Sequence, residues 1–296
     1  MIEVFKQCCF NRYFELGAAQ ALKDKVVNPP IYLSVGSEFI SPLLKKALVD
    51  CGVKRCNIFT QHRCHSYFLT FTDRAEELAL ELCGSPAGCN KGYGGSASIG
   101  DITGDIKLYP HDGLLGSQVP IAVGHSIAKP DELTICILGD AAAEEDYALG
   151  ALGMAITKKC NILFIVEDND LSLLTTKAER RSWDIVKVAK AMDLNTMNIP
   201  IGRSLWHTEL ILKEGIKSAQ SKHPMLINIE VERHLWHSGH GRDKPVEYDY
   251  LSHFIEDLEN IDPNVTNRGE LVYIEEEKKE KAYDIWRKMY SNSIIN

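Results

Sequence analysis

The chain has no basic excess. Its formal charge is −8 and no stripe of Lys and Arg stands out, so a nucleic-acid surface is not expected. It has no run near the roughly 18 apolar residues of a membrane span. Its opening residues, MIEVFKQCCFNRYFELG, carry charge early and no continuous apolar stretch, unlike a secretory leader. No CxxC pair occurs among the nine cysteines, Cys8, Cys9, Cys51, Cys56, Cys64, Cys83, Cys89, Cys136 and Cys160. An odd number without an export signal predicts free thiols in a reducing cytoplasm. Internal repeats and low-complexity linkers are missing too. The loop after Leu138 offers Gly139 alone before the next helix, whereas a nicotinamide-dinucleotide site would need GxGxxG there. Acidity does not exclude a phosphorylated ligand, which local cations and amides can hold.

What is present is a chain of 296 residues, 45% hydrophobic, enough for a sizeable core in a single α/β unit with extra helices. Residues 2–24 have helical periodicity through Val4, Phe5, Cys8, Cys9, Tyr13, Leu16 and Ala19, and Asn28-Pro29-Pro30 ends the pattern. Two more helices are predicted over 37–51 and 73–83, with loops rich in Gly, Ser and His between and after them. From residue 118 the pattern alternates. Helices are predicted at 118–129, 145–158, 183–192 and 206–221, and strands at 133–138, 161–166 and 225–231. The runs at 133–138 and 161–166 are continuously apolar, as in strands buried on both faces. Alternating strands and helices predict a parallel sheet with helices on both faces. Ligands of such sheets bind beyond the carboxyl ends of the strands, in the loops that begin at Gly139, Glu167 and Glu232. The run Glu275–Lys281 enters an amphipathic helix and reads as a solvated face. The expectation is one domain over 1–296, with a helical N-terminal extension and a helical C-terminal tail.

Two of these loops carry the chemistry. One reads Gly139-Asp140-Ala141-Ala142-Ala143-Glu144-Glu145, the other Glu167-Asp168-Asn169-Asp170-Leu171-Ser172. If the strands are neighbours, Asp140 and Asn169 emerge side by side. Mg²⁺ prefers hard oxygen ligands in an octahedron and shares them with phosphates. Asp140 would supply a carboxylate oxygen, Asn169 an amide oxygen and Leu171 its backbone carbonyl. Small residues at 141–143 would let a helix start close to an anion, with its amides and dipole facing it. The plainer alternative is a pair of ordinary strand-end turns.

With these motifs the chain resembles the alpha subunit of the decarboxylating component of 2-oxoacid dehydrogenase complexes, which depend on thiamine diphosphate. That family reads GDGAxEEG, an apolar strand, then ENN followed by Tyr-Ser or Tyr-Ala; here the text is GDAAAEED, NILFIV, EDND and Leu171-Ser172. Both side-chain ligand positions, Asp140 and Asn169, are kept. Ala141 stands for glycine, Asp168 for the first asparagine and Leu171 for tyrosine. The resemblance implies that Gly139, Asp140, Ala141 and Ala142 approach the diphosphate. Gln61-His62-Arg63-Cys64-His65 is similar to the family's Tyr-Arg-x-His segment, which implies that Arg63 grips the diphosphate and His65 stands near the cofactor. A zinc site from His62, His65, Cys56 or Cys64 is an alternative, although the spacing fits no usual pattern. Lys91-Gly92-Tyr93-Gly94-Gly95-Ser96 resembles GKGGSMH. Residues 112–120, DGLLGSQVP, resemble NGIVGAQVP, which implies that backbone groups of Gly113 and Leu115 meet the aminopyrimidine. Arg233–Gly239 resembles Tyr-Arg-Trp-x-x-His-x-Gly and implies a site role for His237. Its neutral-range imidazole suits a phosphate donor or proton carrier. The resemblance runs from about residue 30 to about 240.

The family assignment carries further expectations. The fold would be the diphosphate-binding domain of the thiamine-diphosphate fold, with thiamine diphosphate and Mg²⁺ as cofactors. A separate beta subunit would supply the pyrimidine-binding half in an α₂β₂ assembly. The reaction would be decarboxylation of a small 2-oxoacid and transfer of the acyl unit to a lipoyl group, aldehyde or ketone. The alternatives are a transketolase-like half-enzyme and a non-catalytic scaffold subunit.

Overall fold

The computed structural model describes residues 1–242, 245–261 and 268–293. In chain order its elements are α1 (Ile2–Lys23), α2 (Ile40–Asp50), β1 (Cys56–Phe59), α3 (His65–Thr72), α4 (Ala75–Leu82), β2 (Ile106–Tyr109), α5 (Gln118–Ala128) and β3 (Leu133–Gly139). A 3-10 turn, Ala142–Glu144, precedes α6 (Asp146–Thr157) and β4 (Ile162–Asp168). Then come β5 (Leu171–Ser172), β6 (Thr175–Thr176), α7 (Lys177–Arg180), α8 (Ile185–Ala191), β7 (Asn195–Ile199), α9 (Leu205–Gln220), β8 (Met225–Glu230), α10 (Tyr250–Ile261) and α11 (Arg268–Ser293). The chain divides into two compact units, one of Met1–Leu43, Arg63–Ile99 and Glu232–Asn296, the other of Leu44–His62 and Gly100–Val231.

The second unit contains a six-stranded sheet in the order β2-β1-β3-β4-β8-β7, parallel at every pairing. Alternation along β3 and β4 splits their apolar side chains between two faces. Cys136, Leu138, Phe164 and Val166 join Val119, Val123, Ala148, Leu152 and Ala189 of α5, α6 and α8 in one core layer. On the other face α9 packs against β8 and β4. There Gly215 lets the helix approach: an added Cβ would lie 2.8 Å from Ile227 and from Leu163. The expected parallel sheet with helices on both faces is therefore what the chain forms.

Three strands were expected; the sheet has six, the further ones being β1, β2 and β7. Cys56–Phe59 and Ile106–Tyr109 have four residues each, too short to show a period, and β7 lies at the sheet edge with Ile199 its one buried position.

The first unit is helical. Its N-terminal and C-terminal helices pack on each other. The Trp286 indole donates to the Phe14 carbonyl at 2.9 Å, and Gly17 leaves room for the ring. The run Glu275–Lys281, expected to face solvent, is not wholly a solvated face: Tyr13 donates to Glu275 at 2.5 Å. Residues 294–296 of the expected tail lie outside the described residues. Among the described residues no helix is long and apolar enough to cross a membrane, and the nine cysteines are free.

Candidate functional site

Register fixes the centre of the site. β3 and β4 are adjacent and parallel, with Gly139 opposite Glu167. Asp140 therefore leaves β3 level with Asp168, the last residue of β4, and Asn169 follows. The loops of Asp140 and Asn169 thus leave one edge of the sheet from neighbouring strands.

Each loop is held by its own polar groups. After β4, the Asp168 Oδ1 accepts from the Asp170 amide at 3.1 Å and the Asn169 Oδ1 from the Leu171 amide at 3.1 Å. These side-chain turns redirect the chain, and Leu171 pairs with Thr176 in a short hairpin. After β3, Ala141 has φ −71° and ψ −34°, ordinary right-handed geometry in which its methyl causes no backbone strain. A 3-10 turn follows, and α6 begins at Asp146, one residue after the expected start, so the small residues 141–143 form a turn rather than the helix start.

Charge at the site is dense and internally matched. Asp140 is 2% exposed. Burial, then the nearby Asp168 carboxylate, lifts its carboxyl to about 6 against the pull of Arg180. The Arg180 guanidinium lies 2.5 Å from Asp140 Oδ2 and 3.0 Å from Glu144 Oε1. Lys177 Nζ lies 2.5 Å from Asp168 Oδ2, which also accepts from Asn228 at 3.2 Å. The acid at 168, where the resemblance sets asparagine, is thus paired with Lys177 and need not repel an anionic ligand. Beside them Gln61 donates to the buried Glu167.

The glycine loop before α5 joins this edge. Gly113 has φ +94° and donates to His111 Nδ1 at 3.0 Å. Gly116 has φ +79°, and an added Cβ would lie 2.9 Å from the Ala142 carbonyl. The Tyr147 hydroxyl donates to the Leu115 carbonyl. The loop of Gly113 and Leu115 thus packs through Gly116 on the turn of Ala141 and Ala142, while Gly139, Asp140, Asn169 and Leu171 lie on or just after the adjacent strands β3 and β4, all in the second unit.

The donor chemistry fits a hard divalent cation. One Asp140 oxygen is taken by Arg180; the other accepts no hydrogen bond among the described residues. The Asn169 amide oxygen uses one lone pair on Leu171 and keeps a second. A zinc site finds no support: no three His, Cys, Asp or Glu side chains group as metal ligands among the described residues.

In the first unit Arg63 and His237 meet. The buried guanidinium donates to the Leu33 carbonyl at 2.7 Å and the His237 carbonyl at 3.0 Å, and its Nη2 lies 3.3 Å from the His237 ring. Arg63 thus fixes the His237 segment, whatever else it binds. His65 is 0% exposed. Its Nδ1 lies 3.0 Å from Glu15, and its Nε2 lies 2.9 Å from the Ser96 hydroxyl and 3.1 Å from the Ser96 carbonyl. Both ring nitrogens are engaged, and the geometry gives His65 a loop-holding task. The segment 91–96 is organised by Glu81, whose carboxylate accepts from the amides of Asn90, Gly92, Gly94 and Gly95.

Sequence reasoning missed Arg180, Lys177, Glu144, Tyr147 and Glu81. One signal was available for Arg180. Thr176-Lys177-Ala178-Glu179 has capping-box spacing, and the structure forms that box at the start of α7.

A sequence profile described as the dehydrogenase E1 component matches residues 31–256. The chain is 24% identical over 257 residues to the pyruvate dehydrogenase E1 component subunit alpha of Rickettsia bellii (strain RML369-C), covering 83% of this chain and 74% of that one. It is 25% identical over 242 residues to the mitochondrial subunit alpha-1 of Arabidopsis thaliana, covering 80% and 60%. With the mitochondrial subunit alpha of Sminthopsis macroura it is 28% identical over 241 residues, covering 77% and 61%. The chain thus spans about three fifths of the length of these two mitochondrial relatives.

Proposed function

We propose, from the premise that this chain belongs to the dehydrogenase E1 component family, that it is the alpha-type, diphosphate-binding subunit of a thiamine-diphosphate enzyme acting on a small 2-oxoacid. The observation that carries this reading is the register of β3 against β4, which sends Asp140 and Asn169 out on one sheet edge. Asp140, Asn169 and the Leu171 carbonyl would hold Mg²⁺, and Mg²⁺ would hold the diphosphate. The backbone of Gly113 and Leu115 is the proposed contact for the aminopyrimidine. When bound, thiamine diphosphate supplies a nucleophilic carbon and an electron sink for decarboxylation.

This chain's residues would bind and orient. The Arg180, Arg181 and Lys177 charges offset Asp140, Glu144 and Asp168, so the added Mg²⁺–diphosphate would enter surroundings already near balance. Tyr147 steadies the Leu115 carbonyl. The resemblance assigns diphosphate contacts to Arg63 and His237 and a site role to His65. Within the first unit, Arg63 would hold the His237 segment and His65 the loop at Ser96.

The acyl unit would pass to a lipoyl, aldehyde or ketone acceptor, and activation of the cofactor would need a homologous beta subunit in an α₂β₂ assembly. An uncovered apolar face supports that partner. Ile121 and Ile127 of α5 and Met154 of α6 are 51%, 43% and 47% exposed, and an added Cβ at Gly124 or Gly150 would meet nothing within 4 Å.

The test is calorimetry of thiamine diphosphate on the chain co-expressed with its beta-type partner, with and without Mg²⁺, followed by 2-oxoacid decarboxylation by the pair and by this chain alone. Mg²⁺-dependent binding and partner-dependent turnover are expected. Binding indifferent to Mg²⁺, or robust turnover by this chain alone, would overturn the reading.

A further inference from the structure

Asp140 has two carboxylate oxygens, and its surroundings treat them differently. Oδ2 receives Arg180 at 2.5 Å, while Oδ1 accepts no hydrogen bond among the described residues. Arg180 is itself fixed on several sides. Its Nε lies 3.2 Å from both Glu144 oxygens and its Nη2 lies 3.0 Å from Glu144 Oε1. Its Nη1 donates to the Thr175 carbonyl. The capping box of Thr176 and Glu179 sets the turn that carries it. A planar fork with its donors assigned has little freedom to rotate.

We propose that Arg180 is a positioning residue for the divalent cation: it clamps Asp140 Oδ2 and thereby presents Oδ1 to the metal. Glu144 anchors the clamp, and the hairpin of β5 and β6 delivers it. The inference rests on the metal reading above. A carboxylate free to turn presents either oxygen at many angles, whereas octahedral Mg²⁺ accepts few. Loss of a partner that orients a metal ligand typically weakens metal binding about 10- to 100-fold. Lysine would restore the charge without the fork.

The experiment measures Mn²⁺ binding by electron paramagnetic resonance on the chain assembled with its beta-type partner and thiamine diphosphate, for wild type, Arg180→Gln, Arg180→Lys, Glu144→Gln and Asp140→Asn, with thermal melts of each. Arg180→Gln is expected to weaken Mn²⁺ about 10- to 100-fold, Arg180→Lys to recover part of the loss, and Glu144→Gln to show a smaller loss. Unchanged or tighter binding in Arg180→Gln would overturn the proposal, making Arg180 a plain tie or a competitor of the ion. If Arg180→Gln does not fold, Glu144→Gln decides, and wild-type affinity there overturns the proposal. Wild-type affinity in Asp140→Asn, or no uptake by any of the proteins, overturns the metal reading and this inference with it. A failure at Arg180 alone leaves the metal reading standing.

Discussion

Glu81 shows how one side chain organises a loop that composition describes only as glycine-rich. Its two oxygens accept four amides from residues 90–95, in a position 1% exposed. Replacing it with glutamine turns one acceptor into a donor facing donors. Glu81→Gln is expected to lower stability by about 1–3 kcal/mol, the cost of unsatisfied buried groups, read by urea denaturation. Asp249 gives a pH dependence. Burial alone would raise its carboxyl, but two hydrogen bonds from Arg12 and its charge hold it at about 2. Because the folded value is depressed, its contribution is full above the unfolded value of about 3.9 and is lost as pH falls through about 2. Unfolding free energy should therefore drop between those limits, and Asp249→Asn should flatten that part of the curve. An unchanged slope in the variant would show that the pair contributes nothing.

The elements around the site were unequally legible. β3 and β4 announced themselves as continuous apolar runs, and the loops after them were found on that basis. β1 and β2 have four residues each, and α3 lies in a His- and Cys-rich stretch that read as loop. The Arg180 contact could not be read, because it depends on where the hairpin returns the chain. Gly116 tests the packing of the glycine loop against the turn after β3. At φ +79°, with the Ala142 carbonyl 2.9 Å from an added Cβ, Gly116→Ala meets both strain and overlap. It should cost about 1–3 kcal/mol in chemical denaturation and weaken cofactor binding. Thr176→Ala removes the cap of α7 and should cost about 1 kcal/mol. Hydrogen exchange should then quicken at residues 177–181 and stay unchanged in β3. Equal quickening in both would mean global rather than local loosening.

At the scale of the whole molecule, the family and the parallel sheet were legible because motif order and strand–helix alternation agreed. The uncovered face on α5 and α6 was not legible, since exposure depends on which helix faces the sheet covers. If a beta-type chain seats there, the double variant Ile121→Glu, Ile127→Glu should leave the melting temperature of the chain near wild type and reduce the assembled fraction in sedimentation. Full assembly by that variant would place the partner elsewhere. The central claim, that Asp140 and Asn169 hold one divalent ion between them, is tested most directly by a crystal structure grown with thiamine diphosphate and Mn²⁺, read by the metal's anomalous signal. The account predicts one peak about 2.0–2.3 Å from Asp140 Oδ1 and from the Asn169 amide oxygen. A peak touching neither residue, or none at saturating Mn²⁺, would contradict it.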